Sequence, residues 1–354
     1  MVERAGAGAA AGRRPLGQGK TSAMPIITAP SDLYRDPAVF ARERETIFAR
    51  TWQFFGLEAD LVRAGDYLAE TIAGYPLVVI RDADGALKGY HNVCRHRAGP
   101  LVDKAKGRCD RAFVCQFHDW RYGFDGRLEA ATGYGPDEAF DAAQYSLFPI
   151  RVETWRNLVF VNLDLAAAPL IELLRPLDQR FAERSHRSAR VRDRHLVACS
   201  WKVYVENYLD GFHLAGSASS AAAAAAPHRH EVQITGEVAL HEGVDPAHSP
   251  DNFWAWIWPN LGISVYRGVL LLEQMRPEGP DRLMVDHIFL HAPEDSGVDA
   301  AILASERLAE EQAGICERVQ QNLDAGVFTH GVLSPTHEGA IAWFQNRVLQ
   351  AIGD

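Results

Sequence analysis

The sequence predicts an α+β protein of two units: a small all-β unit, then an antiparallel sheet covered by helices on one side. Three observations predict it. Short strands punctuated by glycine turns run from Tyr67 to about Asp164. Strands then recur from Glu231 to His291. Two long helical patterns, Val298–Leu323 and Glu338–Ile352, close the chain, and strands followed by helices are the α+β order. A length of 354 residues suits two or three domains at roughly 100–200 residues each.

Residues 1–23 are rich in Ala, Gly and Arg, show no periodicity and cannot bury a core, so they read as a flexible tail. Arg13-Arg14 is not followed by the apolar segment of a twin-arginine signal; the basic, acid-poor composition leaves an organelle transit peptide as the alternative. Pro37 opens a helical stretch through Trp52 with Phe40, Ile47, Phe48 and Trp52 on one face. Tyr75–Arg81 reads as a buried strand, Asp82–Gly85 as a hairpin turn, and Leu158–Leu163 as the strand closing the all-β unit. Ala166–Pro169 reads as a linker. A helix near Pro176–Glu183, a strand at His195–Cys199 and a helix at Trp201–His213 follow. The later strands fall at Glu231–His241, Phe253–Trp258, Leu261–Tyr266, Val269–Arg276 and Leu283–His291.

Composition narrows the function. Hydrophobic residues at 47% and charged residues at 23% exclude global disorder. A formal charge of −10 has the wrong sign for a general nucleic-acid binder. No apolar run approaches the length of a membrane span. Five cysteines are too few for a disulfide scaffold and point to a reducing, cytoplasmic setting.

The first chemical constellation is Cys94-Arg95-His96 and Cys115-Gln116-Phe117-His118, with 18 residues between His96 and Cys115. Two thiolates and two imidazoles leave few options. One is a tetrahedral zinc. The other is a two-iron, two-sulfide cluster with both Cys on one iron and both His on the other. Each loop contributes one Cys and one His, an order that suits the two-iron cluster better. Cys109, Cys199 and Cys316 lack His partners and read as packing residues. The second constellation lies on the Trp201–His213 helix. Glu206, Asp210 and His213 are spaced four and three apart and share a stripe. A carboxylate beside a metal-directed His fixes its tautomer and orientation.

Both segments resemble the Rieske non-heme iron oxygenases, α-subunit type, with choline monooxygenase-like members the nearest subgroup. The first is similar to Cys-x-His then Cys-x2-His, with the tail Trp120-Arg121-Tyr122-Gly123-Phe124-Asp125-Gly126. The second is similar to Trp-Lys…Glu-Asn-x-x-Asp-x-x-His. The resemblance runs from about residue 29 to the late helix and includes Tyr34-Arg35-Asp36-Pro37 and Ile315-Cys316-Glu317-Arg318-Val319-Gln320. It implies a [2Fe-2S] cluster at Cys94, His96, Cys115 and His118. It implies a helix-grip catalytic domain with a mononuclear Fe(II) held by two His and one carboxylate, His213 being the first. Asp210 would carry electrons from a neighbouring subunit's cluster, which implies a homotrimer. The implied chemistry is O2 activation for hydroxylation, dihydroxylation or demethylation of a small molecule. Electrons would come from NAD(P)H through a separate ferredoxin or reductase, since the chain carries no flavin or nicotinamide fingerprint. The implied division is a tail over 1–28, a helix over 29–50 packing on the catalytic domain, a Rieske domain over 51–165 and a catalytic domain over 166–354.

The pattern breaks at the mononuclear site. The family's second His falls about five residues after the first, where this chain has Ala218 inside the Ala/Ser run Ser217–Ala226. The family's carboxylate falls four residues before the late-helix Cys, where this chain has Gln312. Three readings stay open. The run replaces the natural segment; or His228 or His230 takes the second position while Glu311 or Gln312 supplies oxygen; or the site has lost its iron. One residue along a helix turns a side chain by about 100°. Glu311 is therefore expected to point away, while Gln312 keeps the direction with a neutral, weaker donor. The rival function is an electron-transfer or scaffold subunit with an intact cluster and no mononuclear iron. Of the weaker signals, Phe253–Trp258 alternates aromatics as sheet core or pocket wall. His287 and His291 carry no expected metal role, and Arg187–Arg194 reads as a solvated basic patch.

Overall fold

Periodicity and capping explain the opening elements of the computed structural model, which describes residues 25–135, 140–181, 189–210, 230–243, 253–266, 269–291 and 298–353. Ile26–Ile27 (β1), read from sequence as the end of the tail, pair antiparallel with Val332–Leu333. Asp32–Arg35 (α1) and Pro37–Glu43 (α2) follow. Pro37 sits where a helix needs no N–H, and the Asp36 carboxylate accepts from Ala38 N at 2.8 Å. The single helix expected through Trp52 instead widens to a π-turn at Arg44–Phe48 and stops there. The wider turn lets adjacent Ile47 and Phe48 both face inward, and both are fully buried.

The first unit runs through Gln53–Leu57 (β2), Asp66–Ile72 (β3), Tyr75–Arg81 (β4), Leu87–His91 (β5), Lys106–Arg108 (β6), Phe113–Val114 (β7), Arg121–Tyr122 (β8), Leu128–Ala130 (β9), Pro149–Trp155 (β10) and Leu158–Asn162 (β11). Seven strands form one antiparallel sheet in the order β2-β11-β10-β5-β4-β3-β6; β7, β8 and β9 form a small separate sheet. The expected turn after β4 is present: Asp82 N donates to Ala86 O, and Gly85 takes φ +83°.

The second unit comprises Leu170–Phe181 (α3), Ala189–Val197 (β12), Trp201–Leu209 (α4), His230–Thr235 (β13), Val238–Gly243 (β14), Phe253–Ile257 (β15), Leu261–Tyr266 (β16), Val269–Gly279 (β17), Arg282–His291 (β18), Val298–Asp324 (α5), Val332–Leu333 (β19) and Gly339–Ile352 (α6). Its seven-stranded antiparallel sheet has the order β12-β18-β17-β16-β15-β14-β13. Four expectations shift. The helix near Pro176 begins earlier, at Leu170, with Pro176 inside it. The strand expected at His195–Cys199 ends at Val197, because Ser200 is needed as the α4 cap. The single strand Glu231–His241 is a hairpin turning at Gly236, φ +60°. The helix expected to His213 ends at Leu209; residues 211–213 lie outside the described residues.

The second sheet is apolar on both faces. Trp256 and Trp258 pack with Trp201 of α4 and Phe344 of α6, whereas Ala255 and Ile257 pack with Phe54 and Phe160 of the first unit and Leu174 of α3. Helices α4 and α6 therefore cover one face, and the first unit together with α3 covers the other. Among the described residues no helix is long and apolar enough to cross a membrane.

The opening segment is locked to α4 by a buried ion pair. Glu43 Oε1 lies 2.6 Å from Lys202 Nζ, and its other oxygen accepts from Trp201 Nε1 at 2.9 Å. Burial pulls the Lys202 ammonium below its usual pKa while the Glu43 charge opposes the shift. Removing one partner strands the other charge in a dry site. Glu43→Ala is expected to cost about 3–5 kcal/mol in chemical denaturation; a loss below about 1 kcal/mol would show the pair to be energetically idle.

Candidate functional site

The two expected ligand loops are built alike. Ala98 N donates to Cys94 O, and Asp119 N donates to Cys115 O, closing each loop with a five-residue turn. Ala98 and Asp119 take the left-handed conformation, φ 54° and 57°. Asn92 pins the first loop: its carbonyl accepts from Leu101 N at 2.8 Å and Val102 N at 3.1 Å, and its amide donates to Val102 O at 2.9 Å.

These loops bring the four expected residues together and sort them by element. The Cys94 and Cys115 thiols lie within hydrogen-bonding reach of one another, and both residues are buried. The His96 and His118 rings meet edge to face at 4.6 Å, with His96 exposed. Burial pushes the Cys115 thiol up. His118 Nδ1 is buried with no hydrogen-bond partner among the described residues. An orphaned imidazole nitrogen beside a thiol pair suits a metal that completes it. No three His, Cys, Asp or Glu side chains among the described residues converge on a single ion. The grouping into a thiol pair and an imidazole pair fits a two-iron cluster with one pair on each iron.

Two supporting aromatics carried no assigned role in the sequence reading. Tyr122 hydroxyl lies 3.2 Å from Cys94 Sγ and accepts from Arg95 N at 3.0 Å. Trp120 stacks on His96 at 4.8 Å with planes 9° apart. Both sit in the aromatic tail that the motif displays, so position relative to His118 was the available signal.

In the second unit, α4 is surrounded by carboxylates. Asp210 caps its C-terminal end rather than lying on the helix. Glu206 accepts from Tyr34 hydroxyl at 2.7 Å, and Gln345 Nε2 donates to that hydroxyl at 3.0 Å. Glu206, Asp210, Asn207 and Tyr34 line a cavity of about 260 Å³ together with Cys316. Burial raises the Glu206 carboxyl to about 7, against the lowering effect of Tyr34, Gln345 and Lys202. The expected stripe of Glu206, Asp210 and His213 is described only as far as Asp210; within it, Glu206 has Tyr34 and Gln345 as partners. His213, Ala218 and His228 lie outside the described residues, as does the His230 side chain. On α5, Glu311 is exposed and Gln312 half-buried, the phase that helical geometry requires. Gln312 is not among the described residues lining the Asp210 cavity.

A third cluster is aromatic. Trp254 stacks on His241 at 4.3 Å and meets Tyr208 of α4 edge-on at 6.1 Å. Cys199 and Cys316 are buried with their thiols in contact, as packing residues would be. Of the expected solvated patch at 187–194, residues 187 and 188 lie outside the described residues; Arg192 and Arg194 are exposed, as expected, and also bind Asp286 and Glu70, tying the two units together.

Residues 51–145 match the Rieske [2Fe-2S] domain family, and residues 238–354 match the catalytic domain of ring hydroxylating alpha subunits. The chloroplastic choline monooxygenase of Atriplex hortensis is 26% identical over 326 residues, 86% of this chain and 73% of that protein. The carnitine monooxygenase oxygenase subunit of Acinetobacter pittii (strain PHEA-2) is 32% identical over 194 residues, 52% of this chain and 51% of that one. Among solved structures, the quaternary ammonium Rieske monooxygenase CntA in complex with L-carnitine superposes with a TM-score of 0.79 at 24% identity, covering 92% of this chain and 96% of that one. Naphthalene 1,2-dioxygenase from Rhodococcus sp. gives 0.76 at 19%, covering 92% and 94%. These superpositions establish the fold.

The left-handed Ala98 is exposed, so a glycine there relieves strain without losing packing. Ala98→Gly is expected to raise stability by roughly 0.5–1 kcal/mol, and Asp119→Gly by less, because Asp tolerates this conformation. Thermal melts of the loaded protein check this; a lowered midpoint would refute it.

Glu206 supplies a pH dependence. Its folded value, about 7, is above the unfolded 4.5, so the folded state holds the proton longer. Its stabilisation is full below pH 4.5 and lost as pH rises to about 7. Glu206→Gln is expected to flatten the stability profile across that window in urea titrations; a profile with an unchanged slope would remove Glu206 as its source.

Proposed function

A chain that joins a Rieske [2Fe-2S] domain to the catalytic domain of a ring-hydroxylating alpha subunit is a Rieske-type oxygenase, and from that premise we propose that it is the oxygenase component of a multicomponent system acting on a small quaternary ammonium compound. The observation that carries the reading is the sorted site at the loop tips: thiols of Cys94 and Cys115 together, imidazoles of His96 and His118 together. Cys94 and Cys115 would hold one iron and His96 and His118 the other. When bound, such a cluster supplies a one-electron relay whose potential the two imidazoles raise. With Cys94 as a thiolate ligand, the Tyr122 hydroxyl would donate to its sulfur, and Trp120 stacks on His96 and holds its plane.

The substrate class is supported by the names of the relatives, which act on choline, carnitine and glycine betaine. The products would be those of hydroxylation or demethylation. Electrons would come from a separate ferredoxin or NAD(P)H-dependent reductase. Asp210 would receive them from a neighbouring subunit's cluster in a homotrimer, an arrangement supported by the inter-subunit electron transfer named for the CntA structure.

The mononuclear iron, when bound, would supply O2 activation. The residues at the family positions do not make a two-His, one-carboxylate set: Ala218 has no donor and Gln312 offers only a neutral oxygen. That observation favours one second reading, a cluster-only electron-transfer subunit.

Iron and acid-labile sulfide per chain separate the two. Three irons with substrate-dependent oxygen uptake are expected for the oxygenase, and two irons with two sulfides and no uptake for the cluster-only subunit. Cys94→Ala is expected to abolish the visible absorbance in either case; a full spectrum in that variant would overturn the cluster assignment.

A further inference from the structure

Two buried nucleophiles have no part in either expected metal site. Cys199 lies in the connection from β12 into α4, and Cys316 lies in the second half of α5. Both are free thiols, both are fully buried, and they are in contact. Hydrogen bonds on either side fix the seam between the two segments. Ala198 N donates to Glu317 Oε1 at 3.1 Å, and Ser200 N donates to Gln320 Oε1 at 2.9 Å. Ser200 caps α4, so the thiols meet where α5 braces the start of that helix. A small apolar side chain at either position would pack as well, but only two thiols can be joined.

The two thiols are not equivalent. Cys316 lines the cavity of about 260 Å³ that also holds Glu206 and Asp210, and Cys199 is not among its described lining residues. Beside Cys316 the cavity is walled by Ile315, Val319 and Phe328, which are themselves exposed at the surface. A molecule of a few heavy atoms fits that space. The hydrogen bond with Cys316, and burial after it, push the Cys199 thiol far up, so Cys199 keeps its proton. Cys316 is therefore the sulfur that a small reagent meets first, with Cys199 protonated behind it. A reacting cysteine beside a second that resolves it is the usual plan of a redox-responsive pair.

We propose that Cys199 and Cys316 form a peroxide-responsive thiol pair, Cys316 reacting and Cys199 resolving. Hydrogen peroxide entering the cavity is attacked by the Cys316 sulfur. Its O–O bond breaks, leaving a sulfenic acid on Cys316 and releasing one water. The Cys199 sulfur then displaces the sulfenic hydroxyl, which leaves as a second water with the Cys199 proton, and the S–S bond forms. Two thiols and one peroxide thus give one disulfide and two waters: the sulfurs lose two electrons and the peroxide gains them. Neither step involves the mononuclear iron. The bond joins α5 to the residue ahead of the α4 cap, so oxidation locks a seam that hydrogen bonds alone hold in the reduced protein. A small thiol reverses it by exchange, and in a reducing setting such a bond is transient and responsive.

The test uses the full-length, cluster-loaded protein, titrated with hydrogen peroxide under anaerobic conditions while the visible absorbance of the cluster is followed. Peptide mapping by mass spectrometry is expected to find Cys199 joined to Cys316, lighter by two hydrogens, before half of the absorbance is lost. Dithiothreitol should restore both thiols. The oxidised protein should melt at a higher temperature than the reduced one, because the bond closes a long loop. In Cys199→Ser, Cys316 is expected to stop at the sulfenic acid and to be labelled by dimedone. In Cys316→Ser, Cys199 is expected to remain a free thiol. Both thiols still free in the wild type after the cluster has bleached would overturn the pair, and that result needs neither variant to fold. A dimedone adduct on Cys199 in Cys316→Ser, with none on Cys316 in Cys199→Ser, would overturn the assignment of the reacting cysteine.

Discussion

The buried contact between Glu43 and Lys202 is the constraint on which the arrangement of the molecule depends. Both side chains are almost completely withdrawn from solvent, so neither charge is tolerable without the other. Glu43 ends α2, and Lys202 lies in the first turn of α4, so the pair fixes the opening segment across the helical face of the catalytic sheet. The neighbouring residues extend the clamp in two directions. Arg44 Nε donates to Ala73 O in the first unit, and its guanidinium sits 5.1 Å over the Tyr75 ring. Arg42 Nη1 donates to Ile352 O at the end of α6. Three consecutive charged positions, 42 to 44, thus bind the last helix, α4 and the first unit. The π-turn that begins at Arg44 keeps the apolar face turned inward as this happens.

The other face of the catalytic sheet is held by quite different chemistry. Gln274 Nε2 donates to Phe54 O at 2.6 Å, and Arg276, almost buried, binds both Glu70 and Asp286. Around these polar ties, Phe54 and Phe160 pack against Ala255, Ile257 and Ile263. The first unit is therefore a structural cover for the catalytic sheet as well as the carrier of the ligand loops. The run Phe253-Trp254-Ala255-Trp256-Ile257-Trp258 already shows this: a strand apolar on both alternating faces must be covered on both. Its sequence does not say that one cover is a second sheet.

The meeting of the two Cys–His loops was legible because chemistry constrains spacing there. A Cys and a His on each of two loops, one and two residues apart, admit few structures. Elsewhere the local signal was ambiguous for identifiable reasons. The β13–β14 turn hides because apolar residues continue on both sides of Gly236, which alone marks the break. Pro176 reads as a helix start, yet it lies within a helix whose packing through Leu170, Leu174 and Leu177 sets the true beginning. Tyr34 and Glu206 are separated by 172 positions, and Asp193, His287 and Glu273 lie on three strands. Contacts of that kind come from topology and register, which no local pattern encodes.

The same register explains why α4 differs chemically on its several sides. Toward the opening segment, Lys202 meets a carboxylate and the two form an ion pair. Toward the cavity, Glu206 meets two neutral donors, Tyr34 and Gln345, so burial dominates and the carboxyl holds its proton up to about 7. Toward the sheet, Tyr204 gives its hydroxyl proton to a hydrogen bond with Glu273, which also faces the imidazole of His287. One short helix thus touches an ion pair, a carboxyl poised near neutrality and an acid–imidazole pair, each within its nine residues. Only the first is explained by holding the fold together. The other two are buried acidic groups beside the helix that leads into Asp210: Glu206, which burial pushes up to about 7, and Glu273, held by the Tyr204 hydroxyl and facing the His287 imidazole.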